Sequence, residues 1–172
     1  DKFKMAVSMR VLADADVYGG KICAALDRQH PRDLFDVKVL MDNDGITPDI
    51  RKAFIVYLIS HDRPMHEVLE PTRKDVRASF DSDFQGMTDE PVEYQTLIGA
   101  REKLITALKS GLTRDEKNFL LSVKEGNPDW KLLSLAGISE LPAVRWKLQN
   151  IKKMDAAKHR NYLSKLKNKL GM

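Results

Sequence analysis

The fold is decided by one stretch of the chain, residues 16–36, which reads DVYGGKICAALDRQHPRDLFD. Apolar residues recur at helical spacing on both sides of Pro31, and proline is well tolerated at the first position of a helix. The stretch therefore predicts one helix to about Gln29 and a second helix from Pro31 to the turn at residues 43–45. The Gly19-Gly20 pair costs the first helix about 1 kcal/mol per residue relative to Ala, which indicates close packing or a close approach of the backbone.

The charged residues of this stretch are three cations and two carboxylates: Lys21, Arg28, Arg32, Asp33 and Asp36. A lysine beside Gly-Gly on an apolar helix suits an anionic ligand that approaches the backbone, and phosphate is the natural candidate. Asp33 and Asp36 are three residues apart and share a helix face, where a carboxylate can act as a general base. A purely structural interpretation is also open. Asp33 would then stabilise a helix N-terminus, and Arg28 would cap the first helix. Arg32 would pair with Asp36 at i, i+4.

Outside this stretch, the pattern is typical of a mainly α protein with one N-terminal strand. Residues 3–12 alternate apolar and polar side chains, which predicts a strand. Because a lone strand is not stable, we expect it to pair in a dimer or with strands upstream of Asp1. Further helices are predicted at Pro48–Ser60, Pro71–Gln85, Val92–Lys109 and Thr113–Val123, around Trp130, and as two basic helices after Leu141.

The order Lys21, Arg28, Arg32-Asp33 and Asp36 resembles the abortive-infection nucleotidyltransferase toxins, the AbiEii/AbiGii family of type IV toxin–antitoxin systems. In that family a helix ending in a Lys, followed by Arg-x-x-x-Arg-Asp-x-Tyr/Phe-Asp, comes after the last strand of a polymerase-β-like core. The resemblance is specific over about residues 10–70. It implies that residues 1–45 end the nucleotidyltransferase core, including its last strand, and that residues 46–172 form a C-terminal helical domain.

The resemblance also implies an activity and roles for the charged residues. The family transfers a nucleotide from an NTP to an acceptor, and tRNA is one acceptor that it suggests. Asp36, or Asp33, would orient or deprotonate the acceptor nucleophile, and Lys21 would hold the triphosphate. Arg28 and Arg32 would position phosphates or lock the carboxylates.

One family feature is missing from the sequence. Family members carry a Gly-rich turn with two Asp separated by one residue, and these acids hold the Mg²⁺ that bridges the nucleotide phosphates. Residues 14–16 and 81–83 have the Asp-x-Asp spacing without the preceding turn. The chain also begins with Asp1 instead of Met. We therefore expect a C-terminal fragment that is inactive alone and has no metal site, whereas the complete protein requires Mg²⁺ and NTP.

The charge distribution favours an alternative function. Residues 144–172 contain nine Lys or Arg and one acid, so this C-terminal tail carries a formal charge of +8 and the other 143 residues carry −4. A basic helical tail can bind nucleic acid or an acidic partner, and it can also be an ordinary solvated face. The alternative is therefore a non-catalytic module that binds nucleic acid or an antitoxin. An interface to an antitoxin or to a second copy of the chain is a third hypothesis.

The composition excludes several classes of protein. With 42% hydrophobic and 31% charged residues, the chain is an ordinary globular sequence. No stretch approaches the ~18 apolar residues of a membrane span. Cys23 is the single cysteine, which predicts a buried apolar residue and a reducing, cytoplasmic location. The spacing of His61 and His66 does not suit a metal site, and Trp130 and Trp146 are expected to anchor the core.

Overall fold

The computed structural model describes residues 11–172, and this part of the chain contains helices and no strand. Its nine α-helices are α1 (Asp14–Asp27), α2 (Pro31–Asn43), α3 (Pro48–Ser60), α4 (Met65–Leu69), α5 (Arg77–Ser79), α6 (Tyr94–Gly111), α7 (Arg114–Glu125), α8 (Pro142–Lys152) and α9 (Ala156–Leu170). A π-helix spans Phe80–Phe84, and 3₁₀ helices span Trp130–Leu132 and Ile138–Glu140. The mainly α prediction is confirmed. The predicted strand at residues 3–12 lies outside the described residues, except for Val11 and Leu12, which have no regular structure.

Local capping signals determine where most of the helices begin. Proline occupies the first turn of α2, α3 and α8, where its missing N–H costs nothing. Before α7, Thr113 and Glu116 exchange side-chain and backbone hydrogen bonds in a complete capping box. Asp155 accepts hydrogen bonds from two backbone N–H groups at the start of α9. The helix starts predicted at Pro31, Pro48 and Thr113 are therefore confirmed.

The helices enclose a continuous hydrophobic core. Its largest fully buried side chains include Ile22, Leu26, Leu34, Phe54, Leu104 and Phe119. They come from α1, α2, α3, α6 and α7, so residues from both sides of position 45 contribute to the same cluster. The division into residues 1–45 and 46–172 stays a prediction. None of the helices that the structure describes is long and apolar enough to cross a membrane.

The helix predicted over Pro71–Gln85 is wrong in its first half. Residues 71–76 contain no helix, and helical structure begins only at Arg77. The side chain of Gln29, which is completely buried, donates to the Thr72 carbonyl and accepts from the Lys74 N–H. Arg101 of α6 donates to the Lys74 carbonyl at 2.9 Å. These long-range hydrogen bonds hold the segment in a non-helical conformation, and no local sequence pattern indicates them.

The basic tail forms α8 and α9, which pack against the rest of the molecule. Both predicted helices bury an apolar face, which includes Val144, Ile151, Leu166 and Leu170. Lys147 is also buried, and its ammonium donates to the carbonyls of His61 at 2.6 Å and Arg63 at 2.5 Å. The prediction for Trp146 is wrong: its side chain is 51% exposed because it lies on the outer face of α8. Trp130 is partly buried against Phe119.

Candidate active site

Helices α1 and α2 form an antiparallel hairpin whose charged residues meet in two pairs. Lys21 contacts Asp36, and Arg28 contacts Asp33. Arg28 lies seven residues after Lys21 along the chain, whereas its partner Asp33 lies three residues before Asp36. Seven helical residues rise by about 10 Å, so the two ion pairs follow one another along the same hairpin. Four of the five predicted site residues are therefore brought together.

Lys21 and Asp36 form the more accessible charged pair. The Lys21 ammonium donates to Asp36 Oδ2, and the two side chains are 38% and 39% exposed. Both groups are within reach of solvent, so a dissolved ligand can compete for either one. The i, i+4 pairing of Arg32 with Asp36, expected from a purely structural interpretation, is absent from the described residues, because Asp36 bonds to Lys21 instead.

The Arg28–Asp33 pair differs in burial. Arg28 donates to Asp33 Oδ1 at 2.8 Å, and its own side chain is 64% exposed, whereas Asp33 is only 13% exposed. The other oxygen, Asp33 Oδ2, is buried and has no hydrogen-bond partner among residues 11–172. A buried carboxylate oxygen without a donor is costly. Asp33 is thus a carboxylate with one free acceptor position.

Arg32 lies apart from both pairs. Its guanidinium donates to the Asp83 carbonyl at 3.3 Å, at the end of the π-helix. His30 Nε2 lies 3.6 Å from the Asp83 carboxylate. Asp83 thus contacts His30, in the turn between α1 and α2, through its carboxylate and Arg32, in the first turn of α2, through its carbonyl. The hydroxyl of Ser82 lowers the pKa of Asp83, and His30 lowers it further. Arg32 is exposed, and the Asp83 backbone carbonyl is the one hydrogen-bond acceptor of its guanidinium within residues 11–172.

The Gly19-Gly20 pair serves helix packing and not ligand contact. A Cβ added to Gly19 would lie 2.7 Å from the Ala53 Cβ and 2.8 Å from the Phe54 nitrogen of α3. A Cβ on Gly20 would lie 3.1 Å from the Tyr57 ring. Of the two explanations for this pair, close packing is confirmed. Helix α3 covers the backbone at Gly19, and the anionic ligand expected beside Lys21 stays a prediction.

The other residues with chemically reactive side chains that the sequence analysis considered, Cys23, His61 and His66, lie in ordinary packing or polar contacts. Burial raises the pKa of Cys23 to about 12, and Cys23 is only 4% exposed, so its predicted burial is confirmed. His61 contacts Asp27 and Asp62, whereas His66 packs edge-on against Tyr162. Within residues 11–172, no group of three or more His, Cys, Asp or Glu side chains is arranged to hold a metal ion.

The family of the chain follows from a comparison with known proteins. A family model described as the nucleotidyl transferase AbiEii toxin of a type IV toxin–antitoxin system matches residues 1–150. The chain belongs to the AbiEii family. No curated protein and no solved structure matches it. The resemblance drawn from residues 16–36 is thereby confirmed, and the family suggests a nucleotidyltransferase toxin with an antitoxin partner.

Two residues beside this AbiEii hairpin were not singled out by the sequence. Gln29, between Arg28 and His30, adopts a left-handed backbone conformation with φ of 56° and anchors the turn through its buried amide. Tyr57 of α3 lies against Gly20, one residue before Lys21, and burial together with the Asp16 carboxylate raises its pKa. A positive φ at a non-glycine residue has no clear sequence signal. The approach of Tyr57 depends on how α1 packs on α3.

Proposed function

We propose that the α1–α2 hairpin is part of the catalytic site of an enzyme that transfers a nucleotide from an NTP to an acceptor hydroxyl. The observation that carries this proposal is the accessible ion pair between Lys21 and Asp36 in a chain of the AbiEii family. The pair places a phosphate-binding cation in contact with a carboxylate that can accept a proton. Both groups are held by helices, which fixes their relative position better than loops would.

The proposed role of Lys21 is to bind the triphosphate. A polyphosphate offers more negative charge than the single carboxylate of Asp36, so the ammonium exchanges one partner for the other when the nucleotide arrives. The exchange leaves the Asp36 carboxylate without its cation. Asp36 is then free to accept a hydrogen bond from the acceptor hydroxyl.

The transfer step itself uses Asp36 as the general base. The acceptor oxygen forms a bond to the α-phosphorus of the NTP, and the bond from that phosphorus to the oxygen that bridges to the β-phosphate breaks. Pyrophosphate leaves, and the hydroxyl proton passes to the Asp36 carboxylate. Asp33 is the second candidate for this role, but its low exposure and its bond to Arg28 favour a supporting role. Arg28 and Arg32, both exposed, are proposed to position phosphates.

The described residues do not supply a set of ligands for the Mg²⁺ that the family resemblance implies. The two candidate site acids of the hairpin, Asp33 and Asp36, are each bonded to a cation, and residues 11–172 contain no cluster suited to a metal ion. The requirement for Mg²⁺, like the inactivity of this chain alone, stays a prediction about the complete protein.

The basic tail supports RNA as the acceptor. Of its nine cations, Lys147 is buried, Arg145 pairs with Glu140 and Lys169 pairs with Glu70. The other six are exposed and form no ion pair within residues 11–172: Lys152, Lys153, Lys158, Arg160, Lys165 and Lys167. Unpaired surface cations attract a phosphate backbone, and tRNA is the acceptor that we propose. The same surface supports the alternative of a nucleic-acid-binding module without catalysis.

Labelling of tRNA with an α-phosphate-labelled NTP tests the proposal, with the longest reading frame that contains this chain as the protein. We expect Lys21→Ala and Asp36→Asn each to lower the rate of transfer by about 100-fold or more. The matched controls are Lys38→Ala and Asp42→Asn, because Lys38 and Asp42 form a similar ion pair at 2.7 Å farther along α2. Full activity of Lys21→Ala would overturn the role of Lys21.

Binding of tRNA at increasing salt distinguishes the catalytic proposal from the binding module. Deleting residues 144–172 is not a clean test, because it removes the buried side chains of Val144, Ile151, Leu166 and Leu170 from the core. Replacing the exposed Lys153 and Lys167 by Gln leaves the core intact. Salt-dependent tRNA binding without any labelling in the wild-type protein would favour the module.

A further inference from the structure

A small cavity lies between α4, α7, α8 and α9, on helices other than the α1–α2 hairpin. It has a volume of about 80 Å³, and its wall includes the apolar side chains of Met65, Ile151, Met154 and Leu166. His66, Lys124, Lys147 and Tyr162 also line it. Two lysines in a cavity whose wall is largely apolar require an explanation, because burying an ammonium in apolar surroundings is costly.

The ammonium group of Lys147 has oxygen acceptors for its hydrogen bonds, whereas that of Lys124 has none within residues 11–172. The three protons of the Lys147 ammonium are directed at the carbonyls of residues 61–63. Lys124 is only 6% exposed, and its single hydrogen-bond acceptor within residues 11–172 is the thioether sulfur of Met154, at 3.5 Å. A thioether is a weak acceptor. Lys124 is thus a buried cation that has no carboxylate partner in the described part of the chain.

Two further lysines surround the same aromatic ring. The ammonium groups of Lys124, Lys158 and Lys165 lie 5.2, 5.5 and 5.8 Å from the centroid of the Tyr162 ring. Within the described residues, none of these three ammonium groups forms an ion pair. The ring face attracts each cation, but the cations repel one another, and burial followed by the charge of Lys158 lowers the pKa of Lys124.

The nearby carboxylates are engaged elsewhere. Glu67 of α4 accepts a hydrogen bond from Arg63, and Glu70 pairs with Lys109 and Lys169. The carboxylate of Asp62, which also lines the cavity, lies 2.9 Å from His61 Nδ1. Within residues 11–172, none of these three carboxylates forms an ion pair with Lys124, Lys158 or Lys165.

We propose that this cavity and its mouth form a second anion site, in which Lys124, Lys158 and Lys165 bind a phosphate group carried by a small molecule. An ammonium forms its strongest hydrogen bonds with charged oxygen acceptors, and a phosphate group offers several of them to converging donors. A bound phosphate gives Lys124 the counter-ion that it lacks and screens the repulsion among the three cations. The proposal is independent of nucleotide transfer by the α1–α2 hairpin.

Isothermal titration calorimetry of the 172-residue chain tests the proposal at constant ionic strength. The probes are inorganic phosphate, inorganic pyrophosphate and AMP, which distinguish a free anion from the phosphate of a nucleotide. We expect at least one of the three to bind at a single site. Replacing Lys158 and Lys165 together by Gln should weaken that binding by about tenfold or more, because two charge-assisted hydrogen bonds are lost.

The matched control is the double variant of Lys153 and Lys167 to Gln. It removes the same charge at exposed positions, one at the end of α8 and one on α9, that do not face Tyr162. An equal loss of affinity in both double variants would show a diffuse electrostatic effect and overturn the proposal. The absence of binding by all three probes would overturn it as well.

Thermal unfolding of Lys124→Met gives a second, independent readout. Methionine fills a similar volume without a charge, so we expect the variant to melt at a higher temperature than the wild-type chain when no anion is present. The anion identified by calorimetry should raise the melting temperature of the wild-type chain and leave that of Lys124→Met unchanged. An equal rise in both proteins would contradict a role for Lys124. If this variant does not fold, the exposed double variants still decide the question.

Discussion

Gly19 of α1 lies so close to Ala53 of α3 that a methyl group at position 19 would stand 2.7 Å from the Ala53 Cβ. The neighbouring contacts at 2.8 Å are with backbone atoms of Ala53 and Phe54, which cannot move aside independently of α3. Gly19 therefore sets the distance between the two helices. Since Lys21 follows two residues later on α1, the same contact helps to determine the position of α1, and with it Lys21, relative to α3.

Replacing Gly19 by Ala should destabilise the protein despite the higher helix propensity of Ala. Overpacking of this kind costs about 1–3 kcal/mol. The gain in helix propensity from Gly to Ala is about 1 kcal/mol, so it does not offset an overpacking cost near the upper end of that range. The matched control is Gly99→Ala in α6, where nothing lies within 4 Å of the added methyl group and a stabilisation is expected. Urea unfolding of both variants measures the difference, and a stabilised Gly19→Ala variant would refute the tight contact.

Gln29→Leu should also destabilise the protein, by about 2 kcal/mol. The variant keeps the volume of the side chain but removes the acceptor for Arg101, at 3.0 Å, and the donor to the Thr72 carbonyl, at 2.9 Å. The Thr72 carbonyl and the Arg101 guanidinium would each lose one hydrogen bond, and the Lys74 N–H would lose its acceptor. Chemical denaturation is the measurement, and Gln149→Leu on the exposed face of α8 is the control. Equal stability of the two variants would mean that the buried amide contributes nothing.

Arg51→Met should cost about 3 kcal/mol, because it leaves a buried carboxylate without its cation. The Arg51 guanidinium contacts Glu116 at 2.8 Å, and the two side chains are only 13% and 4% exposed. Arg77→Met is the control, since its pair with Asp81 is exposed on both sides and should contribute less than about 1 kcal/mol. A double-mutant cycle with Glu116→Gln isolates the interaction, and a coupling energy near zero would contradict this prediction.

Glu70 should make the stability of the protein sensitive to acid. Hydrogen bonds from Lys169 and Lys109 lower the pKa of Glu70 from 4.5 to about 2, so the unfolded chain takes up this proton at a higher pH than the folded chain does. The stabilisation is fully present above the unfolded pKa and is lost as the pH falls through the folded pKa of about 2.

The measurement for Glu70 is the free energy of unfolding between pH 5 and pH 2. Glu70→Gln should show a flatter dependence on pH than the wild-type protein, whereas Glu93→Gln, at an exposed position, should follow the wild-type curve. Identical pH profiles for Glu70→Gln and the wild-type protein would exclude a stabilising role for the two lysine contacts.

The parts of the fold that the sequence predicts are those that local signals specify. Pro31, Pro48 and the capping box at Thr113 each act within four residues of a helix start, and each start is where it was predicted. Residues 71–76 were mistaken for helix because their backbone bonds to Gln29, more than 40 residues earlier in the chain, and to Arg101. Long-range hydrogen bonds of this kind leave no periodic signal.

The candidate site shows the same division between local and tertiary information. The order of charged residues indicated the family and four residues that the hairpin brings into two pairs. The partner of Asp36 was not predictable from the sequence, because Arg32 lies four residues before Asp36 and this spacing also allows an ion pair on a helix. Only the packing of α1 on α2 places Lys21 at Asp36 and turns Arg32 towards Asp83.

The buried ammonium of Lys147 connects α8 to the segment between α3 and α4. It holds the carbonyls of His61 and Arg63 from α8, and the Arg63 guanidinium in turn contacts Asp27, at the end of α1, at 2.6 Å. Two bonded steps thus join the basic C-terminal helices to the residue next to Arg28. An RNA bound to the exposed face of α8, as we propose, would therefore be connected through Lys147 and Arg63 to the turn between α1 and α2.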